Sequence, residues 1–586
     1  VAMRSKQADR WVDISFAETL ERVRCIAAGL RELGVKPGSN VAILSENRPE
    51  WAMVDFACLT TRCADVPIYP TLPAGQVSYI LRDSGAVAIF VSSRQQLEKI
   101  LAIRNPDVTP ALRHIIALDA DASGPGVMPF GDLLQRGKAA LDKYPDWRTE
   151  ALAAEADDLA TLIYTSGTTG DPKGVMLTHG NLTSNVVNGL KYLDLHPTDE
   201  CLSFLPLSHV FERMAGHYCM WQSGCIINYA QSIETVSADL MDRRPTVVLS
   251  VPRLYEKIYA RIIEGAAASD VKRKIFAWCR SAGEAWADQV MAGRPVPFGM
   301  QLKKALADKL VFSKLQQRTG GRLRFFVSGG APLSAEIAKF FFAAGLPIYE
   351  GYGLTETSPV ITVNSHEYIR MGTVGKPIPG VEVKIAPDGE ILTRGPHVMK
   401  GYYNKPEATR EAIDQDRWFH TGDIGMLDAD GFLRITDRKK DIIVTAGGKN
   451  IAPQPIESRV KSNKFILNAV MIGDKRKFPV MLVVPNIPEL RAWAAERGVT
   501  ADTDKALIDH PECGNKIERE IKKTLRDLAQ FEMPKKVVMI EKDFSIENGE
   551  LTPTLKVKRR VVERNYQAMI ESLYAEPKGG GHDTYG

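Results

Sequence analysis

Chemistry-bearing residues gather first in Tyr164-Thr165-Ser166-Gly167-Thr168-Thr169-Gly170-Asp171-Pro172-Lys173-Gly174, directly after the apolar run 159–163. Hydroxyls, glycines and one lysine after a strand offer backbone N–H groups, side-chain donors and a cation to phosphate oxygens, so this loop is expected to hold a nucleotide polyphosphate. It does not fit G-x-x-x-x-G-K-[ST], because the spacing from Gly167 to Lys173 is wrong and the order ends Lys-Gly, which demotes a P-loop NTPase. Further on, Glu356 stands as a lone carboxylate among Gly, Tyr and Thr in 351–359, a donor suited to Mg²⁺, although taken singly it reads more plainly as a surface carboxylate. Gly351 and Gly353 allow close backbone approach and Tyr352 offers a face for stacking, with buried-turn roles as the alternative. Asp423, closing His-Thr-Gly-Asp, can accept two hydroxyls of a sugar, or stand as a turn aspartate paired with Arg438. Lys556 lies beside Lys558, Arg559 and Arg560, a run that on composition alone reads as a solvated basic face.

Taken together and in order, these segments resemble the adenylate-forming superfamily, which includes acyl-CoA synthetases, luciferases and peptide-synthetase adenylation domains. The carrying motifs are YTSGTTGDPKG, LPLSHVFER (205–213), YEGYGLTETSP (349–359), GYYNKPEAT (401–409), WFHTGD (418–423), DRKKDIIVTAGGKNIAP (437–453) and LTPTLKVKRR (551–560), and they span nearly the whole chain. The resemblance implies an ATP site built from Thr165, Ser166, Gly167, Thr168, Thr169, Gly170, Lys173, Gly330, Gly351, Tyr352, Gly353, Asp423, Arg438 and Lys440. Within it Thr165 and Glu356 hold Mg²⁺, Thr355 meets the α-phosphate, and Tyr352 and Gly330 flank the adenine. Asp423 and Arg438 contact the ribose. Lys556 is implied as the catalytic lysine, with Glu356 and Thr355 beside it; Leu555 replaces the glycine that usually precedes that lysine. Carboxylate attack on a phosphate needs no covalent enzyme intermediate, so a placed cation is the natural catalyst. His209 is implied beside the acyl site, where a structural role competes with substrate contact. Lys440 is implied as the hinge, and Gly447 and Gly448 as the lining of a pantetheine tunnel, although a plain turn explains the two glycines equally well.

The elements that must position these residues read as α/β. Ser15 to Glu18 form a capping box before helical spacing that Gly34 stops, and strands at 41–45, 64–70, 86–92, 159–165, 246–252 and 323–330 alternate with helices, which indicates largely parallel, helix-covered sheets. The fold class expected is therefore α/β: a large N-terminal region of several subdomains, 1–436, followed by a small, mobile α+β domain, 437–575, with a helix around 517–530. Residues 576–586 read as a disordered tail. Between Tyr255 and Gln317 the pattern turns helical and Lys/Arg-rich, read as an amphipathic hairpin with a charged face in water in preference to a membrane-contacting surface.

Composition narrows the classes further. Hydrophobic residues make up 44% and charged residues 25% of 586, close to a globular average, and 75 Lys+Arg against 71 Asp+Glu leave a net +4, which gives no case for a nucleic-acid partner. The eight cysteines show no C-x-x-C pair, so zinc and a disulfide framework are disfavoured and buried, reduced thiols of a cytoplasmic protein are expected. The polar N-terminal segment lacks the apolar region of a secretory signal, so export is not expected. The uncharged stretch 214–233 reads as a buried helix followed by a core strand rather than a membrane span. The reaction expected is that of a long-chain acyl-CoA synthetase using Mg²⁺, ATP and CoA on a fatty acid. Peripheral contact with the inner face of a membrane and a homodimer stay open. The alternatives are a fatty acyl-AMP ligase that delivers to a carrier protein acting in trans, a ligase for another carboxylic acid, and a catalytically silent nucleotide-binding or lipid-surface scaffold.

Overall fold

The computed structural model describes residues 1–7, 10–165, 171–267, 269–545, 547–552 and 557–575. The chain folds into two compact units, one made of Val1–Thr421 with Gly425–Ile435, the other of Gly422–Ile424 with the described residues from Thr436 onward. Ser166, Gly167, Thr168, Thr169, Gly170 and Lys556, expected in the site, and the tail expected at 576–586 lie outside the described residues.

The first unit holds two large sheets. One runs Gly401–Tyr402, Lys173–Thr178, Leu159–Thr165, Ala64–Ile68, Asn40–Leu44, Ala88–Val91, His114–Ala117, Val127–Pro129. Leu159–Thr165 and the strands beyond it are parallel, whereas the two strands at the other edge are antiparallel. The second sheet has Phe325–Ser328 parallel to both Val247–Ser250 and Ile348–Gly353, with antiparallel strands at its edges. Both faces are covered, as the unbroken apolar runs require: Val41 and Ile43 point into one core cluster, Ala42 and Leu44 into another. The first of these clusters also draws in Trp51, Val247, Leu249, Phe325 and Val327, so the two sheets share one core.

Local signals explain the elements. The capping box at Ser15 is complete, with both reciprocal bonds to Glu18, and helix Phe16–Glu32 gives way to Gly34 at φ +80°. That helix crosses Phe130–Ala140 so closely that a Cβ on Gly137 would lie 1.8 Å from the Cys25 carbonyl oxygen. The uncharged stretch becomes the end of a π-helical turn, Glu212–Tyr218, then Cys219–Gln222 and the strand Ile226–Tyr229, mostly buried but with Gln222 exposed. Among the described residues no helix is long and apolar enough to cross a membrane. All eight cysteines are unpaired and buried, seven in the first unit and Cys513 in the second.

The second unit is α+β, with the sheet Ile466–Ile472, Val480–Pro485, Lys536–Met539 covered on one face by helices Pro453–Lys461 and Pro511–Thr524. The helix expected around 517–530 begins and ends earlier, at Pro511 and Thr524. Pro511 stands in the first turn behind the His510 cap, and the Arg459 guanidinium takes the Thr524 carbonyl at 2.7 Å.

Candidate active site

The phosphate-loop candidate is closed by a β-hairpin. Thr165 ends one strand, Lys173 starts the next, and the two residues face each other across the antiparallel ladder. Gly174 opposite Tyr164 has a steric reason, since a Cβ there would stand 3.0 Å from the Tyr164 ring, whose hydroxyl donates to Asp83 at 2.6 Å.

Lys173 and Glu356, 183 positions apart in sequence, meet through a residue that local reading does not single out. The edge strand Gly401–Tyr402 pairs with Val175 and Met176, and this carries Tyr402 to the loop. The Lys173 ammonium sits 4.8 Å from the centroid of the Tyr402 ring, and the Tyr402 hydroxyl donates to Glu356 Oε1 at 2.9 Å. Burial first, then the neighbouring Glu356 charge, raises the Tyr402 phenol well above its ordinary value, so it stays a donor. Glu356 itself lies in the single 3₁₀ turn Thr355–Thr357, and Met399 N–H donates to its carbonyl at 2.9 Å. A cation, a phenol and a carboxylate thus surround the mouth of a hydroxyl-rich loop. Among the described residues no group of three His, Cys, Asp or Glu could hold a metal alone. A lone carboxylate suits Mg²⁺ that arrives with phosphate oxygens as its remaining ligands.

Gly330 lies two residues beyond Phe325–Ser328, and Gly351 sits within the adjacent strand Ile348–Gly353 just past its last parallel pair, Glu350 with Ser328, toward the carboxyl ends where open α/β sheets place ligands. Gly330 takes φ +82°, which favours glycine, whereas Gly353 is needed for a different reason: a Cβ there would meet the Pro359 carbonyl oxygen at 1.6 Å. Tyr352 is buried in a small apolar cluster with Ile361, Val374, Ile391 and Leu433. Within the same strand, burial pushes the Glu350 carboxyl up to about 8, although it accepts the Leu333 N–H at 3.1 Å; a carboxylate inside an apolar strand is the sequence signal that could have marked it.

His209 precedes the helical segment that carries the π turn, and its Nδ1 accepts the Phe211 N–H at 3.2 Å. The Phe211 ring lies where a Cβ on Gly329 would approach it to 3.2 Å, which sets this segment against the 328–332 loop. Four residues on, Arg213 is fully buried and pairs with both Asp55 and Asp65. Burial opposes ionisation of both carboxylates; Arg213 and His217 outweigh it at Asp55, which lies below the usual range, while Asp65 lies above it.

In the second unit, Arg438 Nε donates to Asp423 Oδ1 at 3.2 Å, and Asp423 is buried. Asp437, read from sequence only as a boundary, is buried and its carboxyl rises to about 7 because burial outweighs the Arg438 N–H. Lys440 is exposed in the turn after Leu433–Arg438. Gly447 and Gly448 occupy the exposed turn between Ile443–Val444 and Asn450–Ile451, with Gly448 at φ +72° and its N–H on the Thr445 carbonyl, as a tight hairpin requires. Of the basic run near Lys556, Arg559 is committed to an ion pair with Glu457 and to the Met471 carbonyl, which removes it as a mobile charge.

The family model for AMP-binding enzymes matches residues 1–403. That for the AMP-binding enzyme C-terminal domain matches residues 440–578. The chain belongs to the AMP-binding, adenylate-forming enzymes. It is 40% identical over 571 residues, 96% of this chain and 92% of the relative, to long-chain-fatty-acid–CoA ligase FadD15 of Mycobacterium bovis. It is 34% identical to long chain acyl-CoA synthetase 7, peroxisomal, of Arabidopsis thaliana, over 96% of this chain and 82% of that one. The fold matches the solved adenylation domain of a carboxylate reductase from Mycobacterium chelonae with a TM-score of 0.74 at 22% identity, covering 98% of this chain and 89% of that one.

Proposed function

We propose that the protein is an ATP-dependent acyl-CoA synthetase for long-chain fatty acids, working in the cytoplasm. The observation that carries this reading is the meeting of Lys173, Tyr402 and Glu356 at the hairpin loop, in a chain 40% identical to a long-chain-fatty-acid–CoA ligase. In the first step the fatty carboxylate oxygen attacks the α-phosphorus of ATP and pyrophosphate leaves, giving acyl-AMP. In the second, the CoA thiol gives up its proton, its sulfur attacks the acyl carbon, and AMP leaves with the bonding electrons.

Thr165, the segment Ser166, Gly167, Thr168, Thr169 and Gly170, and Lys173 cradle the outgoing phosphates. Mg²⁺, held by Glu356 and Thr165 with phosphate oxygens, supplies charge neutralisation. The Tyr402 hydroxyl donates to one oxygen of Glu356, and the other oxygen would be the one to hold Mg²⁺. Thr355 contacts the α-phosphate, and Lys556 neutralises the charge that builds there during attack. Gly330, Gly351, Tyr352 and Gly353 form the adenine cleft, and the Asp423–Arg438 pair receives the ribose hydroxyls. His209 borders the acyl group, Lys440 is the pivot between the two steps, and Gly447 and Gly448 line the path of pantetheine.

The test is ATP consumption and AMP release with a panel of acids from acetate through decanoate to stearate, with CoA or with an acyl carrier protein as acceptor. AMP release with CoA and the longer acids is expected. Steady release only with the carrier protein overturns the CoA acceptor, and a profile that favours acids shorter than decanoate overturns the long-chain assignment.

A further inference from the structure

The strand Leu159–Thr165 carries a threonine, Thr161, within its apolar run, and the neighbouring strand Ala64–Ile68 carries a carboxylate, Asp65. The two are cross-strand partners and both are fully buried. Arg213, from the π turn, reaches them with a guanidinium engaged on every side. Nη1 donates to Thr161 Oγ1 at 2.8 Å, Nη2 meets Asp65 Oδ2 at 2.7 Å as well as Asp55 Oδ1, and Nε donates to the Tyr218 hydroxyl at 2.9 Å. The centroids of the Trp51 and Tyr218 rings each lie 5.4 Å from its central carbon. A planar fork bonded at all three nitrogens and set between two rings has one orientation.

Buried charge of this kind is weak evidence for stability, because well-packed apolar residues of similar volume often serve as well or better. What it fixes is register. Thr161 lies four residues before Thr165, where the hairpin loop begins, and Arg213 lies four residues after His209, which the proposed function sets beside the acyl group. The strand Ala64–Ile68 also holds the other side of the His209 segment, since the Ser208 hydroxyl donates to the Ile68 carbonyl at 3.2 Å. His209 is thereby bracketed by two anchors on one strand, and Thr161 extends the second anchor to the strand that feeds the loop.

We propose that Arg213 is a positioning residue, which through Asp65 and Thr161 holds the His209 segment in fixed register with the strand leading into the phosphate loop, so that the acid and the α-phosphate meet at reacting distance. This role rests on the acyl-activating reading above. It concerns the step that joins two separate reactants, where misplacement slows attack; in acyl-AMP they are already one molecule.

The experiment follows the two half-reactions separately in the full chain, with the best acid of the panel: acyl-AMP formation by pyrophosphate exchange, and thioester formation from saturating acyl-AMP and CoA. Arg213→Lys keeps the charge and gives up the fork. It is expected to lower kcat of the first half-reaction about tenfold or more and to leave the second within about twofold. Thr161→Val keeps the side-chain shape and removes the hydroxyl, for an expected selective loss of about threefold, whereas Thr161→Ser, which retains the hydroxyl, restores the parent ratio of the two rates. Gly137→Ala is the control: it strains a helix crossing that shares no residue with this network and should leave that ratio unchanged. Equal loss of both half-reactions in Arg213→Lys, or a parent-like ratio in Thr161→Val, overturns the positioning role while the acyl-activating reading stands. A parent that forms no acyl-AMP with any acid overturns that reading and the positioning role with it.

Discussion

The Tyr402 hydroxyl is the smallest feature on which the proposed nucleotide site turns. Tyr402→Phe keeps a ring beneath the Lys173 ammonium and deletes only the bond to Glu356, worth roughly 1–2 kcal/mol for a hydrogen bond to a charged group. Pyrophosphate exchange should therefore show kcat/KM for ATP reduced about tenfold; an unchanged value would mean that Glu356 does not need that donor. Glu350 makes a prediction of opposite character, in stability. Its folded carboxyl is raised to about 8 from an ordinary 4.5, so its contribution is complete below 4.5 and is lost as pH rises through 8. Glu350→Gln, which still accepts the Leu333 N–H, should shrink the fall in urea midpoint between about pH 6 and about pH 9; an equal fall in both proteins would remove Glu350 as its source. Lys173 could be singled out because a cation in a Gly/hydroxyl loop suits phosphate locally, whereas Glu356, which taken singly reads as a surface carboxylate, was marked only by the resemblance of its motif. Tyr402 was not singled out, since an aromatic in GYYNKPEAT looks like any other until an edge strand brings it to a loop more than two hundred residues earlier.

At the scale of elements, hydrophobic period and capping chemistry specify a great deal. Leu159–Thr165 appears with the bounds that its apolar run suggests, and the Ser15 cap forms as its sequence states. What periodicity does not carry is the direction of the next strand: nothing in 171–178 distinguishes a parallel neighbour from the hairpin return that pairs Thr165 with Lys173. The π turn Glu212–Tyr218 was equally silent, because its side chains satisfy an ordinary helical pattern and only the buried Arg213, bonded to Asp55 and Asp65, shows why the backbone widens where charges must converge. The helix crossing at Gly137 gives the prediction for this scale. Gly137→Ala places a methyl group against the Cys25 carbonyl, and the helices Phe16–Glu32 and Phe130–Ala140 must separate, at a cost of about 1–3 kcal/mol. A lowered midpoint of thermal inactivation with the KM for ATP intact is the expected result; a parent-like midpoint would show that the crossing relaxes freely.

Across the whole molecule, the second unit takes Gly422–Ile424 with the described residues from Thr436 onward, so the strand Phe419–Leu427 gives residues to both units and no single boundary describes the division. Such sharing leaves no mark on composition, because the residues on either side of the changeover are alternating strand residues of one kind. If the two steps of the proposed reaction need different arrangements of the second unit, lesions there should separate them. Lys556→Ala should lose acyl-AMP formation and still make thioester from supplied acyl-AMP and CoA, while Lys440→Pro should show the reverse; equal loss of both steps in both variants would argue against a two-position cycle. The eight buried cysteines acquire a further meaning in this setting. Burial raises every one of their thiols above its ordinary value, so none presents a thiolate to its surroundings. An enzyme that makes a reactive mixed anhydride and hands it to a thiol thereby offers that anhydride no thiolate of its own. The same silence turns alkylation into a gauge: because seven thiols belong to the first unit and Cys513 alone to the second, a mass gain of one adduct reports opening of the second unit, and a gain of seven reports opening of the first.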